Sequence, residues 1–286
     1  MIRHYKFAGI EISVDIPDEK MYQGEHRLGN FAAVSVENPH VFKFELKDSL
    51  DTPAGECLWI NPTDCLYQDG NRRIRYVGSV LQTLEGAYIR VNSEKRMHQV
   101  QLLADTFPDR IGPKTVLNSL DITHLVAQQH GFILHCSYVE RNGKAILFTA
   151  PSGTGKSTQA ELWREFRGAE IINGDRAVVR IIRDKIFSEG IPFAGSSIYC
   201  KNRSLPIEAI VYLGQAPHTT IYKLQGYKAF SRLWEGVSVN LHEKKDAELI
   251  SEAVQKTAAE IPMFYLSCTP DESAVIALEE ALGKKG

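Results

Sequence analysis

"HCSYVERNGKAILFTAPSGTGKST", His135–Thr158, decides how this chain is read. An apolar run, AILF, leads into a Gly- and Ser-rich turn. KSTQAELWREF follows, with Ala160, Leu162, Trp163 and Phe166 grouped on one side of a helix. The order is strand, loop, helix. The loop, Ala150-Pro151-Ser152-Gly153-Thr154-Gly155-Lys156-Ser157, fits the phosphate-cradling pattern G-x-x-x-x-G-K-[ST] at every position but the first. Gly153 and Gly155 let backbone N–H groups turn inward around phosphate oxygens, and the helix start faces the same anion. The candidate nucleotide contacts are Ser152, Gly153, Thr154, Gly155, Lys156, Ser157 and Thr158. Lys156 can bridge the β- and γ-phosphates, and the Ser157 hydroxyl can bind Mg²⁺. Alanine at 150 is tolerable where φ is negative, because that position mainly shapes the exit from the strand.

Phosphoryl transfer needs a carboxylate to hold Mg²⁺ or its water. "EIINGDRAVVR" offers Asp175 at a strand end, 18 residues beyond Ser157; the same Asp in "NGD" also reads as an ordinary turn residue. His135, at the head of the quoted stretch, has two readings. Its ring chemistry suits proton transfer, and it also suits a core histidine on a strand.

Around this centre the chain reads as mixed α/β. Residues 1 to about 112 are β-rich: "IEISVDI" (10–16), "HVFKFEL" (40–46), "ECLWINP" (56–62), "RRIRYVGSVL" (72–81) and "GAYIRVNS" (86–93) alternate apolar and polar residues. "KRMHQVQLLAD" adds one more strand, and Asp69-Gly70 signals a turn. A Pro- and Gly-rich break at "TFPDRIGPK" (106–114) separates this front from a second domain, 113–286. There "KTVLNSLDITHLVAQQ" (114–129) has helical spacing, and Asn142-Gly143 marks a hairpin. "AEIINGDRAVVRIIRDKIFSEG" reads as two strands around "NGD" and "RD". "LPIEAIVYLGQ" (205–215) and "MFYLSC" (263–268) read as strands, and "KKDAELISEAVQKTAAE" (244–260) as a helix. The final helix starts legibly, with Thr269 as N-cap, Pro270 first and Glu272 closing a capping box.

The bulk numbers exclude some classes. The 286 residues carry a net charge of −2, which gives no electrostatic reason to expect nucleic acid or a membrane surface as partner. Five cysteines, scattered and never in a C-x-x-C pair, argue for reduced thiols rather than zinc. The N-terminus lacks the apolar core of a signal peptide, and no stretch approaches 18 apolar residues. The expectation is a cytoplasmic protein.

His135, the hairpin, the loop and "IINGDRAVV" together resemble the kinase domain of HPr kinase/phosphorylase and, more distantly, the nucleotide site of phosphoenolpyruvate carboxykinases. His135 lies 15 residues before Ala150, the spacing between the family histidine and its first loop glycine. The resemblance covers about 130–215 well and the C-terminus loosely; it does not reach 1–110. In overall plan, with "PMFYLSCTPDESAV" near its end, the chain looks more like HPr-kinase-related proteins encoded beside peptide-modifying systems, among them the lasso-peptide kinases. The resemblance implies an ATP- and Mg²⁺-dependent kinase acting on a serine hydroxyl of a peptide or protein, with Lys156, His135 and Asp175 catalytic and Ser157 and Asp175 at the metal. It leaves a homo-oligomer open. Gly174 departs from the family's Asp-Asp pair, so either Asp175 does both jobs or His135 takes the proton. Lys201 and Arg203 stand near family arginines that charge-stabilise the transfer, or are solvated loop cations; Glu189 stands near a functional acidic residue; "EGIPFAGSS" (189–197) would line the acceptor site. The alternatives are a small-molecule hydroxyl kinase and a nucleotide-binding scaffold without transfer. The chain has no N-K-x-D motif for a GTPase.

Overall fold

A computed structural model describes residues 1–22, 27–52, 54–61, 64–77, 88–92, 96–106, 112–240 and 243–283. Most of the break at 106–114 and the ends of three expected strands (62, 78–81, 86–87 and 93) lie outside them. The chain divides into two compact units, Met1–Ile122 and Thr123–Gly286.

The first unit carries β1 (Ile2–Phe7), β2 (Ile10–Asp15), β3 (Ala32–Ala33), β4 (His40–Lys47), β5 (Glu56–Asn61), β6 (Asp64–Asp69), β7 (Arg72–Val77), β8 (Tyr88–Asn92) and β9 (Met97–Leu103). They form one sheet in the order β3-β1-β2-β4-β9-β8-β7-β6-β5. The pairs β2–β4 and β4–β9 are parallel, and the others antiparallel. Alternation does what the sequence pattern asks: Phe42 and Phe44 are buried while Lys43 between them is exposed. The turn near Asp69 closes one residue later than the Asp-Gly signal suggests. Asp69 pairs with Arg72, so Gly70 and Asn71 are the loop, with Gly70 at φ +60°. The apolar run at 114–129 splits into α1 (Pro113–Ser119) and α2 (Ile122–Ala127), because Asp121 turns left-handed at φ +51°.

The second unit holds the quoted stretch. Its elements are β10 (Gly131–Arg141), β11 (Lys144–Thr149), α3 (Lys156–Arg167), β12 (Glu170–Asn173), β13 (Arg176–Ile182), β14 (Lys185–Glu189), β15 (Ser204–Gln215), β16 (Thr220–Leu224), α4 (Gly226–Trp234), β17 (Val237–Ser238), α5 (Lys244–Glu260), β18 (Met263–Cys268) and α6 (Glu272–Gly283). The sheet runs β11-β10-β13-β14-β15-β18-β16, and β11 also pairs with β15 in parallel. The path β10–β13–β14–β15–β11 therefore returns to β10. Asn142 and Gly143, at φ +51° and +74°, make the two-residue turn between Arg141 and Lys144. Arg183 and Asp184 make a second such turn, φ +48° and +63°, from residues with no glycine to announce it.

AILF is continuously apolar because both faces of β11 are covered. Ala145 and Leu147 join a core with Ile250 and Val254 of α5; Ile146 and Phe148 join another with Trp163 of α3 and Val275 of α6. Helices thus cover both faces of a mixed sheet. Where α6 was expected to start at Pro270, it starts at Glu272: Asp271, not Thr269, is the cap, its Oδ1 accepting the Ser273 N–H at 2.9 Å. No described helix is long and apolar enough to cross a membrane.

Candidate functional site

β11 ends at Thr149 and α3 begins at Lys156, so the intervening loop sits at the C-terminal edge of a strand, against a helix start. Gly153 and Gly155 have φ of +79° and +110°, a region that L side chains avoid. Ala150 keeps a negative φ, and its buried methyl joins the core under α3. The missing first glycine is explained: nothing at that position needs φ above zero. Lys156 is buried, and its Nζ donates to the carbonyls of Ala150 (2.9 Å) and Pro151 (3.2 Å). Burial pulls its pKa below the ordinary lysine value. Ser157 and Thr158 are exposed on the first turn.

Across the loop stand His135 and Asp175. They come from facing strand positions: β10 and β13 pair antiparallel with His135 opposite Arg176, and the Cys136 N–H donates to the Asp175 carbonyl at 3.0 Å. Forty residues apart in sequence, their side chains meet, His135 Nε2 to Asp175 Oδ1, at 3.2 Å. Arg176 Nε lies 3.1 Å from Asp175 Oδ2. The His135 bond, and then the Arg176 charge, hold the Asp175 carboxyl below the usual range against the opposing effect of burial. His135, Lys156, Ser157 and Asp175 line one cleft of about 590 Å³, with Ser152, Gly153, Gly155 and Thr158 on its loop side. Thr154 instead lines a neighbouring cleft of about 510 Å³ beyond Gly153.

Three residues given no role of their own in the sequence analysis, Asn173, Gly195 and Ser197, build this corner. Asn173 is fully buried and makes four hydrogen bonds. Its Oδ1 accepts the N–H groups of Asp175 (2.9 Å) and Arg176 (3.0 Å); its Nδ2 donates to the carbonyls of Ile191 (3.1 Å) and Phe193 (2.9 Å). It ties the Asp175 turn to the 190–200 loop. Its signal was present in "NGD", since Asn side chains often bond the backbone two residues on. Gly195 at φ +52° lies against the carboxylate, and a Cβ there would come within 2.8 Å of Asp175 Oδ1. At Gly174 a Cβ would meet Ser197 Oγ at 2.3 Å. Ser197 thus occupies the space a side chain at 174 would need, and glycine there goes with this loop. Asn173→Ala is expected to lower stability by about 2–4 kcal/mol, through buried groups left unpaired. Asn173→Asp should cost at least as much, since it turns a carboxylate oxygen on two carbonyls. Urea unfolding midpoints check both.

The other candidates fall outside. Lys201 is paired with Glu170 and Arg203 with Glu140, and neither lines the cleft. Glu189 is buried in a two-pronged ion pair with Arg180 on β13. The expected acceptor-lining stretch enters only through its end: Ala194, Ser196 and Ser197 line the cleft. His124 bonds the buried Asp246, a structural contact. All five cysteines are free thiols, and no group of three or more His, Cys, Asp and Glu side chains among the described residues could hold a metal.

The fold and site define a mixed α/β protein with a glycine-rich strand–loop–helix facing a His–Asp pair. The chain belongs to the family described as SynChlorMet cassette protein ScmC, whose model matches residues 114–274, more than half of its length. No curated protein matches it. Among solved structures, the HPr(Ser) kinase/phosphatase from Coxiella burnetii is similar over 54% of this chain and 99% of that one, at 9% identity and a TM-score of 0.34.

Proposed function

We propose that the protein is a kinase that uses ATP and Mg²⁺ to phosphorylate a serine hydroxyl of a peptide or protein. One observation carries the reading: a loop with Lys156 and Ser157 shares a cleft with a His135–Asp175 pair held at 3.2 Å. The loop glycines and the start of α3 suit phosphate oxygens, and Lys156 would leave its loop carbonyls to meet the terminal phosphates. Ser157 and Asp175 offer only oxygen donors, a hydroxyl and one carboxylate. That suits Mg²⁺, which arrives with phosphate and keeps its waters. Bound there, the ion would neutralise charge on the phosphates. With Nε2–H given to Asp175, His135 Nδ1 has no hydrogen-bond partner among the described residues and would take the acceptor proton. Asp175, held ionised by His135 and Arg176, orients the ring.

The family's description as a cassette protein makes peptides encoded in its genomic neighbourhood the first acceptors to try. Labelled ATP, Mg²⁺ and those peptides should yield a labelled serine. ATP binding without transfer to any peptide or small alcohol would instead support a nucleotide-binding scaffold, a reading that Gly174, with room for no second carboxylate, keeps open.

A further inference from the structure

The 190–200 loop brings hydroxyls of this chain itself to the cleft. Both of its limbs are clasped. Asn173 Nδ2 holds the carbonyls of Ile191 and Phe193, and on the far limb Cys200 bridges to Asn173 while the Lys201 N–H donates to Ile172. Between the clasps the chain turns at 194–197, Ser197 N–H to Ala194 carbonyl at 2.8 Å. Gly195 is the residue pressed on Asp175, and Ser196 follows it directly.

The hydroxyls lining the cleft are not equivalent. Those of Ser152, Ser157 and Thr158 stand on the loop and helix start that would hold phosphate. Ser197 Oγ is wedged over Gly174 and accepts the Tyr199 N–H at 3.1 Å. The Tyr199 ring packs on the core beneath α3. Ser196 is exposed, lines the cleft with His135, Asp175 and Lys156, and has no hydrogen-bond partner among the described residues.

We infer that Ser196 is an intramolecular phosphoryl acceptor, so that the protein phosphorylates itself on the rim of its own cleft. This rests on the kinase reading above and adds to it a modification site. A hydroxyl tethered in the same cleft as the reacting groups has a high effective concentration and competes with any acceptor arriving from solution. In the step, Ser196 Oγ bonds to the γ-phosphorus of the nucleoside triphosphate. The bond from that phosphorus to the β,γ-bridging oxygen breaks, and the diphosphate leaves with the electron pair. The hydroxyl proton passes to His135 Nδ1. The product carries a charge of about −1.5 to −2 next to Asp175, in the place an external acceptor would use.

The test uses the whole chain with ATP and Mg²⁺ and no peptide, read by intact mass, by mapping of the modified residue and by nucleotide binding in parallel. One phosphoryl group should be gained, on Ser196. Ser196→Ala should lose it while still binding ATP, Ser197→Ala should keep it, and Lys156→Ala should lose it. The first-order rate constant should not change on dilution. ATP binding with no phosphoryl gain, or gain on Ser197 or Tyr199 instead, overturns the inference and leaves the nucleotide site standing. A rate constant proportional to protein concentration overturns its intramolecular character. Failure to bind ATP at all removes the kinase reading, and this inference with it.

Discussion

Replacing Lys156 with alanine is expected to lower phosphoryl transfer by about 10²–10³-fold, the cost of removing one charge that strengthens as the phosphoryl group moves. The fold should survive. Lys156 is the first residue of α3, where alanine is the best helix former. Its ammonium is held out of water by the loop and is less basic than an ordinary lysine for that reason, so its burial opposes folding. The two carbonyls it bonds, of Ala150 and Pro151, belong to the loop itself. Circular dichroism and the thermal midpoint should therefore change little while turnover collapses. Lys156→Arg should not restore it, because a planar, bulkier fork replaces a compact charge. Near-normal turnover in Lys156→Ala would show that the loop is not the nucleotide site.

The second large effect is at the His135–Asp175 pair. His135→Ala should cost about 10²–10⁴-fold in rate, the usual worth of a positioned base. Its backbone still bonds Gly236 and Thr149, so the strand should hold. Asp175→Asn should cost a comparable factor, because the amide leaves the ring without its charged partner and would leave the proposed Mg²⁺ without a carboxylate. If the two act as one unit, the double variant should be little worse than the worse single one. Multiplying losses would mean separate roles. The pH profile decides which group takes the proton. Asp175 is ionised well into acid, so a pH dependence of the rate above that range does not come from its carboxyl, and one that disappears in His135→Ala is tied to that side chain. A rate flat there and falling only in acid would make Asp175 the base.

Stability gives a further check on Asp175. Its folded pKa is depressed, so its stabilising contribution is complete above the ordinary aspartate value. It is lost as pH falls through the lower folded value. The stability gap between wild type and Asp175→Asn should narrow on acidification.

Much of the second unit was legible. Periodicity and turn chemistry are local, so β10, β11, α3, β15, α5 and β18 could be read within a residue or two. The Asn142-Gly143 hairpin was legible because both residues tolerate the positive φ that it demands. The Arg183-Asp184 turn was legible only as a break, since its residues carry no comparable preference. "NGD" showed a turn but not the two further bonds of Asn173, whose acceptors lie 18 and 20 residues on. Lys201, Arg203 and Glu189 were placed by resemblance, and each has a local partner of opposite charge that no linear spacing reveals.

What the sequence by itself determined is the strand–loop–helix at 145–167. Its glycines, its lysine and its two-sided apolar strand are properties of consecutive residues. The meeting of His135 with Asp175, the clasp at Asn173 and the nearness of Ser196 were decided only by tertiary structure. They depend on the pairing of β10 with β13 and on the return of the 190–200 loop. Strand register and loop return are settled by contacts between residues tens of positions apart, and those contacts have no signature within any one segment.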